Sequence, residues 1–347
     1  MFRRLAAVTG QISLNKVENI NTIRNMASST SSGLSMPPDW HKGPDDSFHG
    51  KITSDGPFQP EAGRFHLYPY PKGDSNGWPG WRFNHPDEKN EPGGIYDGST
   101  EDKLFGSRFM HEIYFKADKD YKGRYSVPVL WDKKLNTIVN NESHELLRDL
   151  QSAFNSLLPD DVANMTLYPE ELRDDIDRIA EWMQADLNTG VYKAGFAPNQ
   201  EIYNEKVPGP FACLNKLEAI AHSNGGPYLL GKKMTEIDVR AYATLIRFDP
   251  VYVQHFKCNL GIIRYNYPVL NNWLKHMYWD HKAFKSTTDF RHIKENYTKS
   301  HYDVNPKAIT PVGPYPDIER QYESDWSKLK PGRIDMPEVV EWEKKLS

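Results

Sequence analysis

Cysteine is nearly absent from this 347-residue chain, occurring only as Cys213 and Cys258. Two thiols build neither a disulfide scaffold nor a multi-cysteine zinc site, and they point to a reducing compartment such as the cytoplasm. Charge of one sign is missing too. Lys plus Arg number 43 and Asp plus Glu 47, a net charge of −4. That balance gives no footprint for nucleic acid. No apolar run approaches bilayer-spanning length, so neither a transmembrane helix nor a membrane partner is expected. The histidines show no His-x-x-x-His spacing beside an acid, and no metal is expected. No internal repeat is present. Aromatics are plentiful, with 19 Tyr and 9 Trp, more than a core alone needs. With 38% hydrophobic and 26% charged residues, the chain reads as globular and long enough for two domains.

Residues 1–36 read as a targeting or disordered segment. Arg3, Arg4, Lys16 and Arg24 face a single acid, Glu18, and Phe2, Leu5, Val8 and Ile12 recur at helical spacing ahead of a serine-rich run. Residues 1–30 thus have the pattern of a mitochondrial presequence. An unstructured cytosolic N-terminus, with a start at Met26 or Met36, is the competing reading. Residues 37–59 form an extended arm rich in Pro, Gly and Asp.

Arg64 to Tyr68 is a short strand, with Phe65 and Leu67 on one face and His66 and Tyr68 on the other. Pro and Gly breakers from Pro69 to Gly106 read as loop. Residues 125–131 form a β run interrupted by Pro128, tolerated at a sheet edge or where the bond is cis. An edge of that kind can pair with an extended peptide. Residues 137–139 make a second short strand, and a helix follows Asn140-Asn141-Glu142-Ser143. With Asn141 as its cap, Glu142 and Ser143 fall in the first turn, where free N–H groups attract a carboxylate and Glu142 suits an ammonium.

Helices dominate from residue 168. Pro169 suits a first helical position. Leu172, Ile176, Ile179, Met183 and Leu187 form one buried stripe. Further helices cover about 200–222, 236–248 and 267–278, with Gly225-Gly226-Pro227 as a breaker. Thr235 and Asp238 have capping-box spacing, flanked by Met234 and Val239 as a hydrophobic staple. The Pro-rich stretch 301–347 reads as an extended tail carrying Tyr315, Tyr322 and Trp326 over the surface.

Several long blocks carry a resemblance. Asn76-Gly77-Trp78, Gly123 to Asp132, Ile138 to Ser143, Gly190 to Ala197, Arg247 to Cys258 and His292 to Tyr297 occur in the order found in the glutathionyl-hydroquinone reductase family, the Xi-class, omega-like glutathione S-transferases. The resemblance implies an α/β thioredoxin-like N-domain over 60–155, an all-α glutathione-transferase C-terminal domain over 160–300, and a homodimer paired through its helical part. It implies glutathione as co-substrate and aromatic glutathione conjugates as ligands. In that family a cysteine thiolate takes glutathione from a glutathionyl-hydroquinone as a mixed disulfide, which a second glutathione resolves. Carried over by position, Trp78, Arg124, Tyr125, Ser126, Val127, Glu142 and Ser143 match glutathione contacts. Tyr192 matches the proton-transfer tyrosine, and Tyr252 and Tyr297 match two tyrosines near the thiol. The residues themselves say less, since a phenol cluster suits a flat aromatic ligand but any single tyrosine is as often core.

The family places its nucleophile in a Cys-Pro-Trp-Ala motif just after the first strand, and here Pro69 to Ser75 holds no cysteine. Eight residues separate Tyr68 from Gly77, whereas a parallel crossover needs at least about 10–12 and a βαβ unit about 30. The N-domain is therefore expected to be incomplete, short of one helix and one parallel strand. Cys213, among apolar neighbours, reads as an inert buried thiol. Cys258 follows Lys257, a cation that can lower its pKa. A glutathione-dependent reductase or transferase is one reading. The alternative is a non-catalytic, ligand-binding or dimerising remnant, from a truncated isoform, a gene-model error or a paralogue that lost the activity.

Overall fold

The structure, a computed structural model, describes residues 12–14, 48–68, 72–73, 81–84 and 100–346. Residues 12–14 and 48–166 belong to one compact unit and 167–346 to another.

The first unit has strands β1 (Ile12–Leu14), β2 (Phe65–Tyr68), β3 (Lys72–Gly73), β4 (Trp81–Arg82), β5 (Val129–Asp132) and β6 (Thr137–Asn140), with helices α1 (Met110–Ala117) and α2 (Ser143–Ser152). The main sheet runs in the order β1-β2-β5-β6. β2 pairs antiparallel with β5, Phe65 opposite Asp132, and β5 antiparallel with β6. Strand alternation divides the core. Phe65, Leu130 and Val139 pack with Leu146 of α2 and with Phe154. Tyr68, Val129, Trp131 and Ile138 pack with Met110, Ile113 and Tyr114 of α1. Arg64 and Asp132 form a buried bidentate ion pair where β2 meets β5, with Nε donating to Oδ1 at 2.9 Å. A mixed sheet with α2 on one face and α1 on the other, followed by a helical unit, is the two-part order expected from the sequence.

Several expectations need correction. The strand around Pro128 begins only at Val129, after a cis Val127–Pro128 bond, and it lies inside the sheet between β2 and β6 rather than at an edge. The sheet does not lack a parallel neighbour: β1, from the segment read as a targeting sequence, pairs parallel with β2. Among the described residues no helix separates β2 from β4. The stretch read as loop holds the β3–β4 pair, whose two-residue strands are too short for any periodicity. Of the arm, residues 48–59 are described. Gly50 N–H donates to Val139 O at 2.8 Å and Ile52 is buried, so this part lies along β6.

The second unit is helical: α3 (Arg173–Trp182), α4 (Gly190–Gly195), α5 (Gln200–Lys206), α6 (Pro208–Ser223), α7 (Glu236–Arg247), α8 (Pro268–Asp280), α9 (Phe290–Ser300) and α10 (Pro337–Glu343), with shorter turns between. The stripe is buried at Ile176, Ile179, Met183 and Leu187. Pro169 precedes a 3-10 turn rather than opening the helix, and Pro208 splits the helix expected over 200–222. Thr235 and Asp238 form the capping box at the start of α7. Gly226 has a positive φ, and a Cβ there would lie 2.2 Å from the Trp326 ring, so only glycine fits.

The tail is not simply extended. Ile334, Val339 of α10 and Leu346 are buried in the helical core. Asn215 of α6 accepts from Ile334 N at 2.9 Å and donates to Ile334 O at 3.0 Å. Glu218 of α6 accepts from Gly332 N at 3.0 Å and from Val269 N and Leu270 N at the start of α8. Proline-rich composition hid this docking, which depends on polar partners more than a hundred residues upstream. Trp326, expected on the surface, packs partly buried against the core, whereas Tyr315 is exposed.

Candidate functional site

In the first unit the stretch Arg124 to Val127 is held from beneath by a small polar network. Tyr114 of α1 donates its hydroxyl to Ser126 O at 2.9 Å. Asn141 Nδ2 donates to Tyr114 Oη at 2.9 Å and to Ser126 Oγ at 3.0 Å, while Asn141 Oδ1 accepts from Phe48 N at 2.8 Å. Tyr121 donates to Arg124 O at 3.0 Å. Burial pushes the Tyr114 phenol up to about 12, so its hydroxyl is a fixed donor at neutral pH. The Tyr125 ring packs tilted or edge-on against Tyr114, Phe115 and Tyr121.

Asn141 is therefore not the helix cap expected of it. Its side chain faces the Ser126 network, and Glu142 is the N-cap residue, with no side-chain cap bond. Glu142 N–H donates to Asn140 Oδ1 at 2.7 Å. Ser143 is the first helical residue and is exposed, while Glu142 is half-buried. The first amides of α2, which have no partner within the helix, start beside both residues. Trp78 lies outside the described residues.

Asn141→Ala is expected to destabilise the protein by about 1–3 kcal/mol, since Asn141 is only 3% exposed and its partners lose buried bonds. Asn141→Asp keeps the acceptor for Phe48 but not the donors, and should fall between. Denaturant titration of the three proteins tests the order.

In the second unit the structure brings the three sequence-predicted tyrosines together from separate elements. Tyr192 lies on α4, Tyr252 ends the π-turn Phe248–Tyr252, and Tyr297 lies on α9. Their hydroxyl oxygens form a triangle, with Tyr192 to Tyr297 at 2.6 Å, Tyr252 to Tyr297 at 3.0 Å and Tyr192 to Tyr252 at 3.5 Å. Tyr252 is 2% and Tyr297 7% exposed, and Tyr192 is half-buried. Phe256 is the packing hub. Its ring is parallel to Tyr252, tilted against Tyr192 and edge-on to Tyr297. A Cβ on Gly195 would lie 2.1 Å from that ring, so the residue ending α4 must be glycine.

Desolvation raises the Tyr192 and Tyr252 phenols well above their ordinary pKa, and neighbouring phenols add to this. The charge on Arg247 opposes the shift in both. At neutral pH these two groups are neutral and can donate or relay a proton, whereas a phenolate would be costly.

Sequence reasoning missed the histidines beside them. His255 Nε2 and His301 Nδ1 are 3.1 Å apart, and His301 stacks on Phe256 and meets Tyr297 edge-on. Burial lowers both pKa values, His255 to about 4. No local spacing signals this pair, because its members lie 46 residues apart, His255 in the turn after Phe248–Tyr252 and His301 capping the end of α9. Neither cysteine is poised as a thiolate. Cys213 and Cys258 are fully buried, and burial raises both. For Cys258 this corrects the expectation from Lys257, whose charge is outweighed by desolvation. Cys258 Sγ faces Val191 O and Phe256 O at 3.9 Å. Among the described residues no group of three or more His, Cys, Asp or Glu side chains could hold a metal ion.

A family model described as "Glutathione S-transferase, C-terminal domain" matches residues 203–276. Glutathione S-transferase omega-like 2 of Schizosaccharomyces pombe is 46% identical over 288 residues, covering 76% of this chain and 89% of the relative. A glutathionyl-hydroquinone reductase of Escherichia coli is 39% identical over 246 residues, 71% of this chain and 70% of the relative. Among solved structures, the Xi glutathione S-transferase of Phanerochaete chrysosporium superposes with a TM-score of 0.72 at 41% identity, over 79% of this chain and 97% of that one. The glutathione-bound transferase homologue of Escherichia coli gives 0.69 at 34% identity, over 80% and 96%. With coverage and identity at this level, the chain belongs to the Xi-class, omega-like glutathione S-transferases and glutathionyl-hydroquinone reductases.

Proposed function

We propose that this chain binds glutathione and aromatic glutathione conjugates but carries no protein thiol able to take up glutathione as a mixed disulfide. The observation that carries this reading is the burial of both sulfurs, Cys213 and Cys258, with their pKa values raised. A nucleophilic thiol needs the opposite environment, electropositive and partly open. The glutathione-bound homologue supports the ligand. The Ser126 network and the start of α2 supply backbone and carboxylate-binding groups for the peptide part. Within the second unit, taken by itself, the neutral phenols of Tyr192, Tyr252 and Tyr297 are proton donors suited to an aromatic oxygen or carbon.

The intact phenol triangle favours a second reading, reductase turnover without a protein nucleophile. The thiolate of a free glutathione would attack the sulfur of the conjugate directly. A sulfur–sulfur bond then forms between the two glutathiones and the ring carbon–sulfur bond breaks. The ring carbon keeps the electron pair and takes a proton. The products are oxidised glutathione and the free hydroquinone.

The test mixes purified protein with a glutathionyl-hydroquinone and glutathione, follows hydroquinone release, and measures glutathione binding by calorimetry and adducts by intact mass. We expect bound glutathione and no protein–glutathione disulfide. Turnover abolished by Cys258→Ser, or a mass gain of one glutathione, overturns the first reading. Turnover that survives replacing both cysteines by serine but falls in Tyr192→Phe establishes the second.

A further inference from the structure

The position beside β2 is filled by an unusual route. Among the described residues no strand downstream of β2 pairs parallel with it: β5 pairs antiparallel, and β3 and β4 form a separate two-stranded sheet. The parallel neighbour instead comes from upstream, with Ile12 opposite Phe65, Ser13 opposite His66 and Leu14 opposite Leu67. The connection, residues 15–64, is long enough to return the chain in the same direction. β2 itself is deeply buried at Phe65, His66 and Tyr68, so a bare edge there would leave ladder groups of a core strand unpaired. Such edges are also ready templates for foreign strands.

We propose that the outer edge of β2 is a strand-docking site and that its occupant is this chain's own N-terminal segment, residues 12–14. The segment thereby supplies the parallel neighbour that no described downstream strand supplies. Ile12, the last member of the apolar helical spacing in the leader-like stretch, lies in this strand. Docked as a strand, Ile12 cannot extend that helix. Pairing of the segment with β2 and a leader helix that reaches Ile12 are then mutually exclusive.

Strand geometry provides an internally controlled test. Successive residues turn their N–H groups to opposite sides of a strand, so of Ser13 and Leu14 one faces β2 and the other faces away. Proline removes the N–H and is tolerated only where that group is not in the ladder. Hydrogen–deuterium exchange of Phe65 to Tyr68 is measured in the full chain, in Ser13→Pro and in Leu14→Pro, at several protein concentrations. We expect one proline to speed exchange of these amides by about tenfold, the loss of roughly one ladder bond, and the other to leave it unchanged. Protection should not vary with concentration. Equal effects of the two prolines, or none, overturn the pairing. Protection that rises with concentration overturns the intramolecular occupant in favour of a strand donated by a second copy.

Discussion

Asp238→Ala should lower the unfolding free energy by roughly 3–5 kcal/mol. Asp238 is fully buried, and each oxygen serves more than one donor. Oδ1 accepts from Leu229 N and Trp273 Nε1, both at 2.9 Å. Oδ2 accepts from Thr235 N at 2.8 Å and Thr235 Oγ1 at 3.1 Å. Alanine strands these donors where water cannot replace the acceptor, and it removes a negative charge from the start of α7, where the helix dipole favours one. Thr235→Ala removes only the cap hydroxyl and should cost about 0.5–2 kcal/mol. Urea unfolding of both variants tests the ranking. A loss in Asp238→Ala no greater than in Thr235→Ala would show that the Leu229 and Trp273 bonds contribute nothing net.

This residue also shows where sequence reading stops. The spacing of Thr235 and Asp238 reveals the capping box, because both partners lie within one turn. The bond from Trp273 is invisible locally, since it comes from α8 and requires the fold. The phenol triangle is similar. Tyr192, Tyr252 and Tyr297 were singled out through resemblance, and nothing in their own spacing announces contact between residues 60 and 105 positions apart. The amphipathic stripe of α3 was legible because its period is intrinsic to the helix. β1 was not, because three residues of strand in a basic segment with helical apolar spacing carry no alternation of their own. The tail helix was masked by prolines, one of which, Pro337, opens the helix.

Acid should destabilise the protein well before its carboxylates titrate. Burial pushes His66 down to about 4, with Lys133 adding to the shift and Asp102 opposing it. His66 is 4% exposed and its Nε2 has no hydrogen-bond partner among the described residues. Burial likewise lowers His255 to about 4 and lowers its partner His301. In the unfolded chain a histidine titrates near 6.5. As pH falls below that value the unfolded state takes up protons that the folded state refuses, so the stability these groups contribute is present above about 6.5 and disappears toward 4. His66 alone accounts for roughly 3 kcal/mol at about 1.4 kcal/mol per pKa unit. The His255–His301 pair adds to this in the same direction, since each protonation hinders the other in the folded state. Urea midpoints between pH 7.5 and 4 should therefore fall steeply. His66→Gln should flatten part of that slope while leaving the remainder, whatever its effect on stability at neutral pH. An unchanged slope in that variant would mean that His66 takes up its proton as readily in the folded state as in the unfolded one.

Docking of the tail has a bearing on synthesis. Because Ile334, Val339 and Leu346 complete the helical core, that core stays open until the ribosome has passed them. The earlier helices, with their apolar faces uncovered, must wait for these residues to emerge. The first unit, whose strands and helices all lie within the first 166 residues, has no such wait, so the nascent chain passes through a stage with one unit closed and the other exposed to chaperones.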